Sequence, residues 1–314
     1  MTKVSIDILL AVYNGESFLR PFLDSLRSQT FQDFRLVVSN NRSTDSTEAI
    51  LDEFRESFAD KVVVLPAPEE FLSPHDNFAR VTEAGSSSYI MYADADDVWH
   101  EDKIERTLVA MCAAERRYGV TNPILVHSDL KVVDDSLRCL ARSFWSFQYV
   151  DPARTALHQL LMQNCVTGCT TMLNRSLFEL GRPIPAEACV HDHWYALVAS
   201  AFGHIVGIPE ALIEYRQHGG NVTGAKKWGA PYVMDRAAHI YSEGGARETI
   251  ARNFRQAEAF LSRFEGRLNP AQKELISNFA AIRQQGMFVR RWSLVRNRFW
   301  KTGLARNVGL LLAI

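Results

Sequence analysis

The stretch Ser88–His100, "SYIMYADADDVWH", joins a run of apolar residues to a dense acidic cluster. The apolar run has the composition of a buried strand, and Asp94, Asp96 and Asp97 follow it directly. Two carboxylates about 4 Å apart repel each other by roughly 4 kcal/mol in a partly screened site. The cluster therefore needs a cation, a shared proton or free access to water, and a cation would mark a functional site.

The residues before this stretch alternate between short apolar runs and amphipathic helical patterns. Strands are predicted for "VSIDILLAVY", "FRLVVSN", "KVVVL" and "SYIMYA", with helices between them for "ESFLRPFLDSLRSQ", "STEAILDEFRESF" and "PHDNFARVTEAG". Repeated strand–helix–strand units predict an α/β fold, with a mostly parallel sheet covered by helices on both faces. Ligands of such sheets bind beyond the carboxyl ends of the strands.

Polar clusters follow three of these strands, namely "YNGES", "SNNRSTD" and "DADD". Because parallel strands end at the same edge of a sheet, all three are expected to meet there. Neither GxGxxG nor GxxxxGK[ST] follows any of the strands, which argues against a dinucleotide fold or a P-loop. A phosphate ligand would instead be held by a metal, by helix N-termini or by basic side chains.

The second half of the chain is less regular. "ILVHSDLKVV" is predicted as a strand, "ARTALHQLLMQN" as a helix, "CVTGCTTMLNRSLFE" as a strand leading into a helix, "HDHWYALVASAFG" as a helix, and "HIVGI" and "ALIEYRQH" as two short strands. The pattern is helical from about Trp228, so residues 1–225 are predicted as the α/β domain and 226–314 as a helical extension. The tail "MFVRRWSLVRNRFWKTGLARNVGLLLAI" fits either a helix on an anionic membrane surface or a terminal helix packed on the domain.

Composition narrows the class of protein. The chain has 314 residues, 47% of them hydrophobic and 23% charged, which is enough for a large core. A net charge of -1 argues against general nucleic-acid binding. The five cysteines form no CxxC pair, and we expect neither a signal peptide nor a transmembrane segment. These features predict a cytoplasmic protein, with the inner face of the cell membrane as a further location.

The acidic cluster is open to several interpretations. A DxD after a buried strand suits a hard divalent cation whose remaining ligands are substrate phosphates. Asp97 could instead be the N-cap of the following helix, but a cap explains one carboxylate and leaves two. The string also matches phosphatases of the haloacid-dehalogenase type, with Asp94 as nucleophile and Asp96 as acid, although that motif normally opens its domain. A non-catalytic sugar- or nucleotide-binding module is the third alternative.

The ordered set of motifs resembles glycosyltransferase family 2. It consists of "DILLAVYNGESFLRPFLDSLRSQTFQDFRLVVSNNRSTDST", "DADDVW", "HDHWYALVASAFG" and "EYRQHGGNVTGA", and it covers most of residues 5–225. The resemblance implies a GT-A fold with a mixed, mostly parallel sheet, and an inverting transfer that depends on Mn2+ or Mg2+. Within the family the chain is most similar to bacterial rhamnosyltransferases of polysaccharide assembly. That implies a dTDP-, UDP- or GDP-linked donor, and a glycan or lipid-linked glycan as acceptor.

The resemblance also assigns roles to residues. It places Asp192 as the catalytic base, and Asp94, Asp96 and His218 at the metal. Residues implied to contact the nucleotide donor are Ala11, Tyr13, Asn14, Glu16, Asn40, Asn41, Asp94, Arg216 and His218. Residues implied to line the sugar or acceptor pocket are Thr167, Gly168, His191, His193 and Trp194. Asn40 and Asn41 stand where the family usually has an aspartate facing the base, which leaves uracil, thymine and guanine open. Asp192 and Asp45 could also be helix N-caps, and Asn221 could order the loop after His218.

Overall fold

The computed structural model describes residues 5–58, 61–219 and 245–314. In these residues nine strands join into one sheet: β1 (Ile6–Val12), β2 (Phe34–Asn40), β3 (Val62–Val64), β4 (Tyr89–Ala93), β5 (Val98–Trp99), β6 (Ile124–Val133), β7 (Cys139–Ala141), β8 (Met172–Asn174) and β9 (His204–Arg216). Eight α-helices accompany them up to residue 219: α1 (Leu19–Arg27), α2 (Thr47–Ser57), α3 (Pro74–Glu83), α4 (Lys103–Tyr118), α5 (Phe144–Gln148), α6 (Leu157–Met162), α7 (Arg175–Gly181) and α8 (His191–Phe202). Four more follow residue 244: α9 (Gly245–Phe264), α10 (Pro270–Ala281), α11 (Met287–Arg296) and α12 (Leu304–Ala313).

The strand order is β3-β2-β1-β4-β8-β6-β9-β5, with β7 paired to β6. The first four strands are parallel, and Ile6 of β1 stands opposite both Phe34 and Tyr89. β8 is antiparallel to β4 and β6, whereas β6 and β9 are parallel. The predicted mixed sheet is confirmed, and the segments after β1, β2 and β4 leave it at the same edge.

Helices cover both faces of the sheet, as the alternating side chains of β1 show. Ile6, Ile8 and Leu10 point into an apolar cluster that also contains the inward residues of α1, α2 and α4. Leu9 points into a second cluster, formed with α3, α6, α7 and α8. Because successive side chains of a strand face opposite ways, this one buried strand serves two cores.

The segments "HIVGI" and "ALIEYRQH", predicted as two strands, form the single strand β9. The pairing of β9 with β6 shifts register between Ser128, opposite Ile208, and Asp129, opposite Ala211. Pro209 lies at this shift and has no N–H to donate to a neighbouring strand. The proline therefore produces a bulge in a continuous strand, and the prediction of two strands was wrong.

The C-terminal helices pack on the second apolar cluster. Ile250, Phe254, Phe260 and Phe279 of α9 and α10 are buried there together with residues of α8. The predicted helical character of this part is confirmed, while the predicted boundary at 225/226 lies outside the described residues. Among the described helices, none combines the length and the apolar character that crossing a membrane requires.

Candidate active site

The loops after β1 and β2 are tied together at the carboxyl edge of the sheet. Asn14, whose φ is 47°, donates its N–H to Ser43 Oγ over 2.9 Å, and its Oδ1 accepts the Thr44 N–H over 2.9 Å. The Glu16 carboxylate accepts the N–H of Ser46 over 3.0 Å. Asn14 and Glu16 thus fix the loop after β1 to the loop after β2.

Asp45 belongs to the same loop pair. Its carboxylate accepts N–H groups of Glu16 and Thr47, each over 3.0 Å, and the Thr47 hydroxyl over 2.5 Å. Burial raises the pKa of Asp45, but these hydrogen bonds outweigh it and the pKa ends below its usual value. The N-cap of α2 is Ser46, so the interpretation of Asp45 as that cap was wrong. Asp45 instead binds Thr47 in the first turn of α2 and also fixes the first loop.

The two asparagines predicted to face the nucleotide base differ in the structure. Asn40 is partly exposed, and its Oδ1 accepts the Ser43 hydroxyl over 2.6 Å. Asn41 is buried: its Nδ2 donates to the Leu72 carbonyl oxygen over 2.8 Å, and its Oδ1 accepts the Leu72 N–H over 3.0 Å. The structure does not bring Asn41 to a ligand surface, because the backbone of Leu72 occupies both ends of its amide.

An exposed aromatic pair stands beside these loops. Tyr13 is 48% exposed and Phe71 is 59% exposed, and their rings meet edge to face at 4.8 Å. Ala11, one of the last residues of β1, is partly buried. The pair offers an apolar surface at the edge where a planar base could lie.

Asp97 connects the acidic cluster to β9. It is fully buried, and its Oδ1 accepts the N–H of Arg216 over 3.1 Å. The N-cap of α4 is Asp102, so the interpretation of Asp97 as that cap was wrong. Arg216 is itself buried, its Nε donates to the Asp96 carbonyl oxygen over 2.8 Å, and its guanidinium lies 4.7 Å from the ring centre of Phe18. Arg216 therefore fixes the acidic loop to β9, with its backbone N–H bonded to Asp97 and its Nε bonded to the Asp96 carbonyl oxygen.

Asp96 and His218 form an open pair at the same edge. Their Oδ2 and Nε2 atoms are 2.9 Å apart, and both side chains are partly exposed. The imidazole of His218 also contacts the ring of Phe18, at 4.5 Å between ring centres. The structure therefore brings together these two residues, although they are 122 positions apart. Asn221 lies outside the described residues.

Negative charge accumulates behind this pair. One oxygen each of Asp94 and Asp97 and the sulfur of Cys169 all lie within 4.8 Å of one another. Burial and, after it, the charge of the neighbouring Asp96 raise the pKa of Asp94 to about 7. Burial and the two neighbouring carboxylates also raise the pKa of Asp97 well above its usual value. The raised pKa values show that the surrounding protein groups do not compensate the ionised form of Asp94 and Asp97.

A buried lysine, Lys103, lies under the cluster. Its Nζ sits 3.5 Å from the ring centre of Trp99, and it has no hydrogen-bond partner within the described part of the chain. Burial lowers its pKa to about 7, while the charges of Cys169 and Asp97 oppose that shift. In its protonated form, Lys103 places a positive charge on the inner side of the acidic cluster.

The donor atoms at this edge fit a divalent cation. Asp94 and Asp96 offer carboxylate oxygens and His218 an imidazole nitrogen, which suit Mn2+ or, for the oxygens, Mg2+. Asp97 Oδ2 is buried without a hydrogen-bond partner among the described residues, so positive charge near it would be stabilised. The Cys169 sulfur is softer and buried, and is a poorer ligand for these ions.

Asp192 is the second residue of α8 and is partly exposed on the other side of the site. Its Oδ1 accepts from Asn164 Nδ2 over 3.1 Å, and the carboxylate also accepts backbone hydrogen bonds from Gly168 and His193. Burial nonetheless raises the pKa of Asp192 to about 7. The N-cap of α8 is Val190, so Asp192 is not the cap. The charge of Asp192 contributes to raising the pKa of Asp94, which places the two carboxylates in one electrostatic site.

The segment 167–171 lies between these two groups. A Cβ added at Gly168 would clash with the His191 imidazole and lie 3.5 Å from Asp192 Oδ2, so the close approach requires glycine. His191 stacks on Phe78 at 4.2 Å, and burial lowers its pKa to about 3. Thr167 is partly exposed next to Gly168. Thr167, Gly168 and His191 are therefore gathered around Asp192.

Two residues predicted for the sugar pocket point into the core instead. His193 is hydrogen-bonded through Nε2 to the Leu160 carbonyl oxygen over 2.6 Å. Trp194 is fully buried, donates from Nε1 to the Gly181 carbonyl oxygen, and packs on Phe260. The structure does not place these side chains at the pocket, because successive helical residues point about 100° apart and only Asp192 faces the edge.

Lys103, Cys169, Asn164 and Phe18 contribute to the site but were missed at the sequence level. Lys103 falls in an ordinary amphipathic pattern, "EDKIERTLVAM", where a lysine is normally solvated. Asn164 and Cys169 flank Gly168, and a glycine beside several small polar residues was the available signal. Phe18 carried no signal, because its neighbours Arg216 and His218 are distant in the chain.

Comparison with known proteins identifies the family. Residues 7–179 match the family model described as "Glycosyl transferase family 2". The chain belongs to glycosyltransferase family 2. The match runs from β1 into α7 and includes Asp94 and Asp96, and it ends before Asp192 and His218.

Relatives of this family 2 glycosyltransferase are named as a dTDP-rhamnosyl transferase and as a putative teichuronic acid biosynthesis glycosyltransferase. The chain is 26% identical over 230 residues to the dTDP-rhamnosyl transferase RfbG of Shigella flexneri, covering 69% of this chain and 74% of that protein. It is 22% identical over 236 residues to TuaG of Bacillus subtilis (strain 168), named a putative teichuronic acid biosynthesis glycosyltransferase, covering 73% and 84%.

Solved glycosyltransferase structures share the fold. The mannosyltransferase PcManGT from Pyrobaculum calidifontis, in complex with GDP-Man and Mn2+, superposes with a TM-score of 0.56 at 15% identity, covering 95% of this chain and 74% of that one. S. aureus TarS 1–349, in complex with UDP-GlcNAc, gives 0.54 at 16% identity, covering 98% and 90%. The expected GT-A architecture is confirmed.

Proposed function

We propose that this glycosyltransferase moves a sugar from a nucleoside-diphosphate donor to a hydroxyl of a growing surface polysaccharide or lipid-linked oligosaccharide, with inversion and with Mn2+ or Mg2+. Rhamnose is the first candidate sugar. The observation that carries the proposal is that the neighbours Gly168 and Cys169 link the two sides of the site. A Cβ added at Gly168 would lie 3.5 Å from Asp192 Oδ2, and the Cys169 sulfur lies within 4.8 Å of oxygens of Asp94 and Asp97. A displacement at a sugar carbon needs these two functions, a base and a stabilised leaving group.

Asp192 is the proposed base. A base works best when its pKa lies near the working pH, and burial raises the pKa of Asp192 to about 7. Asn164 and two backbone N–H groups hold the carboxylate in one orientation. As the acceptor oxygen bonds to the anomeric carbon, Asp192 takes the hydroxyl proton and the bond from that carbon to the diphosphate breaks.

The Asp94–Asp96–His218 group is proposed to hold the departing nucleoside diphosphate. A divalent cation bound there would supply the positive charge that stabilises the leaving diphosphate. Lys103 supports this group through its charge beneath the cluster. Arg216 supports it through a hydrogen bond to the Asp96 carbonyl oxygen. Tyr13 and Asn40 are proposed to meet the nucleoside at the same edge.

The proposal of a rhamnosyl donor and a polysaccharide acceptor is supported by the relatives. RfbG is named a dTDP-rhamnosyl transferase, and TuaG is named for teichuronic acid biosynthesis. Family membership removes the phosphatase and the non-catalytic module as alternatives.

A thermal-shift screen of nucleotide sugars with and without Mn2+ tests the proposal. A ligand at about 100 times its Kd stabilises a protein by roughly 2.7 kcal/mol. We expect dTDP-rhamnose to raise Tm more than UDP- and GDP-sugars do, and the increase to require Mn2+. NMR of the product glycoside would then show the inverted anomeric configuration. Equal stabilisation without metal, or a product with retained configuration, would contradict the mechanism.

A further inference from the structure

The last two helices expose apolar side chains in regular rows. On α11, Phe288, Trp292 and Val295 follow one another at helical spacing and are 79%, 64% and 48% exposed. On α12, Leu304, Val308 and Leu312 do the same. Residues at such spacings lie on one side of a helix, and in a globular protein that side normally faces the core.

The opposite sides of both helices already pack on the protein. Leu294 of α11 and Leu310 of α12 are buried in the core. Phe299, between the helices, is fully buried, 4.8 Å from the ring of Phe279. Arg291 Nε donates to the Leu311 carbonyl oxygen over 2.9 Å and joins the two helices. The exposed rows are therefore a second apolar side on helices whose first apolar side is in use.

The charge of this segment has one sign. Residues 275–314 contain seven basic residues, Arg283, Arg290, Arg291, Arg296, Arg298, Lys301 and Arg306, and no aspartate or glutamate. This segment carries a net charge of +7, whereas residues 1–274 carry -8. A helix pair that combines exposed Phe, Trp and Leu with arginines is complementary to a surface that is anionic outside and apolar beneath.

We infer that α11 and α12 form a docking face for an anionic phospholipid bilayer. The docking face consists of Phe288, Trp292, Val295, Leu304, Val308 and Leu312. Its apolar rows would enter the boundary between headgroups and acyl chains, while the surrounding arginines contact lipid phosphates. The helices would lie on the membrane rather than cross it. The inference goes beyond the transfer reaction and holds whichever sugar is transferred.

Vesicle co-sedimentation of the full chain tests the inference. We expect binding to vesicles of equimolar phosphatidylglycerol and phosphatidylcholine, little binding to phosphatidylcholine alone, and weaker binding as salt increases. The double variant F288S/W292S should lower the bound fraction at least about tenfold, because it removes two large apolar side chains from the face. R296Q/R298Q should weaken binding to the anionic vesicles specifically.

The matched control is V109S/V120S, which removes two comparably exposed apolar side chains far along the chain from this segment. It should bind vesicles like the wild type. An unchanged Tm and unchanged nucleotide binding in F288S/W292S would show that the fold and the donor site are intact. Equal binding of F288S/W292S and the wild type would overturn the inference. So would sedimentation of the wild type as a dimer that F288S/W292S dissociates, if no vesicle binding accompanies it.

Discussion

One carboxylate at the amino end of the sheet, Asp7, contrasts with three at its carboxyl end, Asp94, Asp97 and Asp192. Near the amino end of β1, Asp7 is fully buried and paired through both oxygens with Arg35, over 2.9 and 2.8 Å. It also accepts from the N–H groups of Ser86 and Ser87 and from the Ser87 hydroxyl. Burial raises the pKa of Asp7, but these hydrogen bonds outweigh it and the pKa ends below its usual value.

At the carboxyl edge, Asp97 is fully buried, whereas Asp94 and Asp192 are partly exposed; the pKa values of all three are raised. The fold provides them with fewer donors and leaves one oxygen of Asp97 without a hydrogen bond in the described structure. The comparison shows that burial does not decide what a carboxylate does. A carboxylate whose oxygens all accept hydrogen bonds from the protein stabilises the fold. A carboxylate with fewer hydrogen bonds is available to a ligand or a proton.

The largest expected effect is that of Asp192→Asn. Removing a general base typically lowers kcat by 10²–10⁴-fold, and we expect a loss of about 10³-fold, with binding of the nucleoside diphosphate unchanged. A steady-state assay of donor consumption measures it. Asp134→Asn, in the exposed turn after β6, is the matched control and should keep full activity. Full turnover by Asp192→Asn would assign the base elsewhere.

Asp7→Ala, in contrast to Asp192→Asn, should lower stability without a direct effect on catalysis. We expect the free energy of unfolding to fall by about 3 kcal/mol, because the change strands Arg35 and two backbone N–H groups. Urea unfolding measures it. Asp24→Ala, which breaks an exposed pair with Arg27, should change stability by less than about 1 kcal/mol. Similar losses for both variants would show that the Asp7 network contributes little.

His218→Ala tests the open pair with Asp96. We expect the Mn2+ concentration for half-maximal activity to rise by about 10- to 100-fold, the effect of removing a group that binds or orients a metal. A metal titration at saturating donor measures it. His100→Ala removes a histidine that pairs with Glu214 over 3.2 Å and should leave the metal requirement unchanged. An unaltered titration curve for His218→Ala would remove this residue from the metal group.

The pH dependence of kcat/KM follows from the raised pKa of Asp192. A base must be ionised, so activity should be constant above pH 7 and fall about tenfold for each pH unit below about 7. The profile of wild-type kcat/KM at saturating metal measures it. Because kcat/KM reports ionisations of the free enzyme, a limb near pH 4, the usual range for aspartate, would show that the pKa of Asp192 is not raised or that Asp192 is not the base.

The smallest expected effect is on the stability of Asp94→Asn. The pKa of Asp94 is raised from 3.8 in the unfolded chain to about 7, so its favourable contribution is present below pH 3.8 and lost as the pH rises through 7. At pH 8 the neutral amide should therefore leave stability unchanged or increase it by about 1 kcal/mol, while activity falls. Thermal unfolding at pH 8 measures it. A clear destabilisation would place Asp94 with Asp7, among the carboxylates that hold the fold.

Much of the architecture could be predicted from local patterns. The bounds of β2 and β6 equal those predicted, because both segments are rich in Leu and β-branched residues. The prediction of two strands at β9 failed because a proline usually ends a strand when only its neighbours in sequence are considered. In the structure, β9 pairs with β6 on both sides of Pro209, and the proline lies at a bulge within one strand. The placements of Asn41, His193 and Trp194 failed for a related reason. Their burial depends on Leu72, Leu160 and Phe260, which no local pattern connects to them.

The sequence by itself determined the strand–helix order, the edge where the polar segments meet and the family, because periodicity and motif order are properties of neighbouring residues. Only the tertiary structure decided how many hydrogen bonds each acidic residue receives. Asp7 is saturated by Arg35, Ser86 and Ser87, whereas Asp97 receives the Arg216 N–H on one oxygen only and Asp96 pairs with His218, all from distant parts of the chain. It also decided that α11 and α12 keep an apolar side exposed. Charge and burial depend on which groups become neighbours in space, and folding alone makes those neighbours.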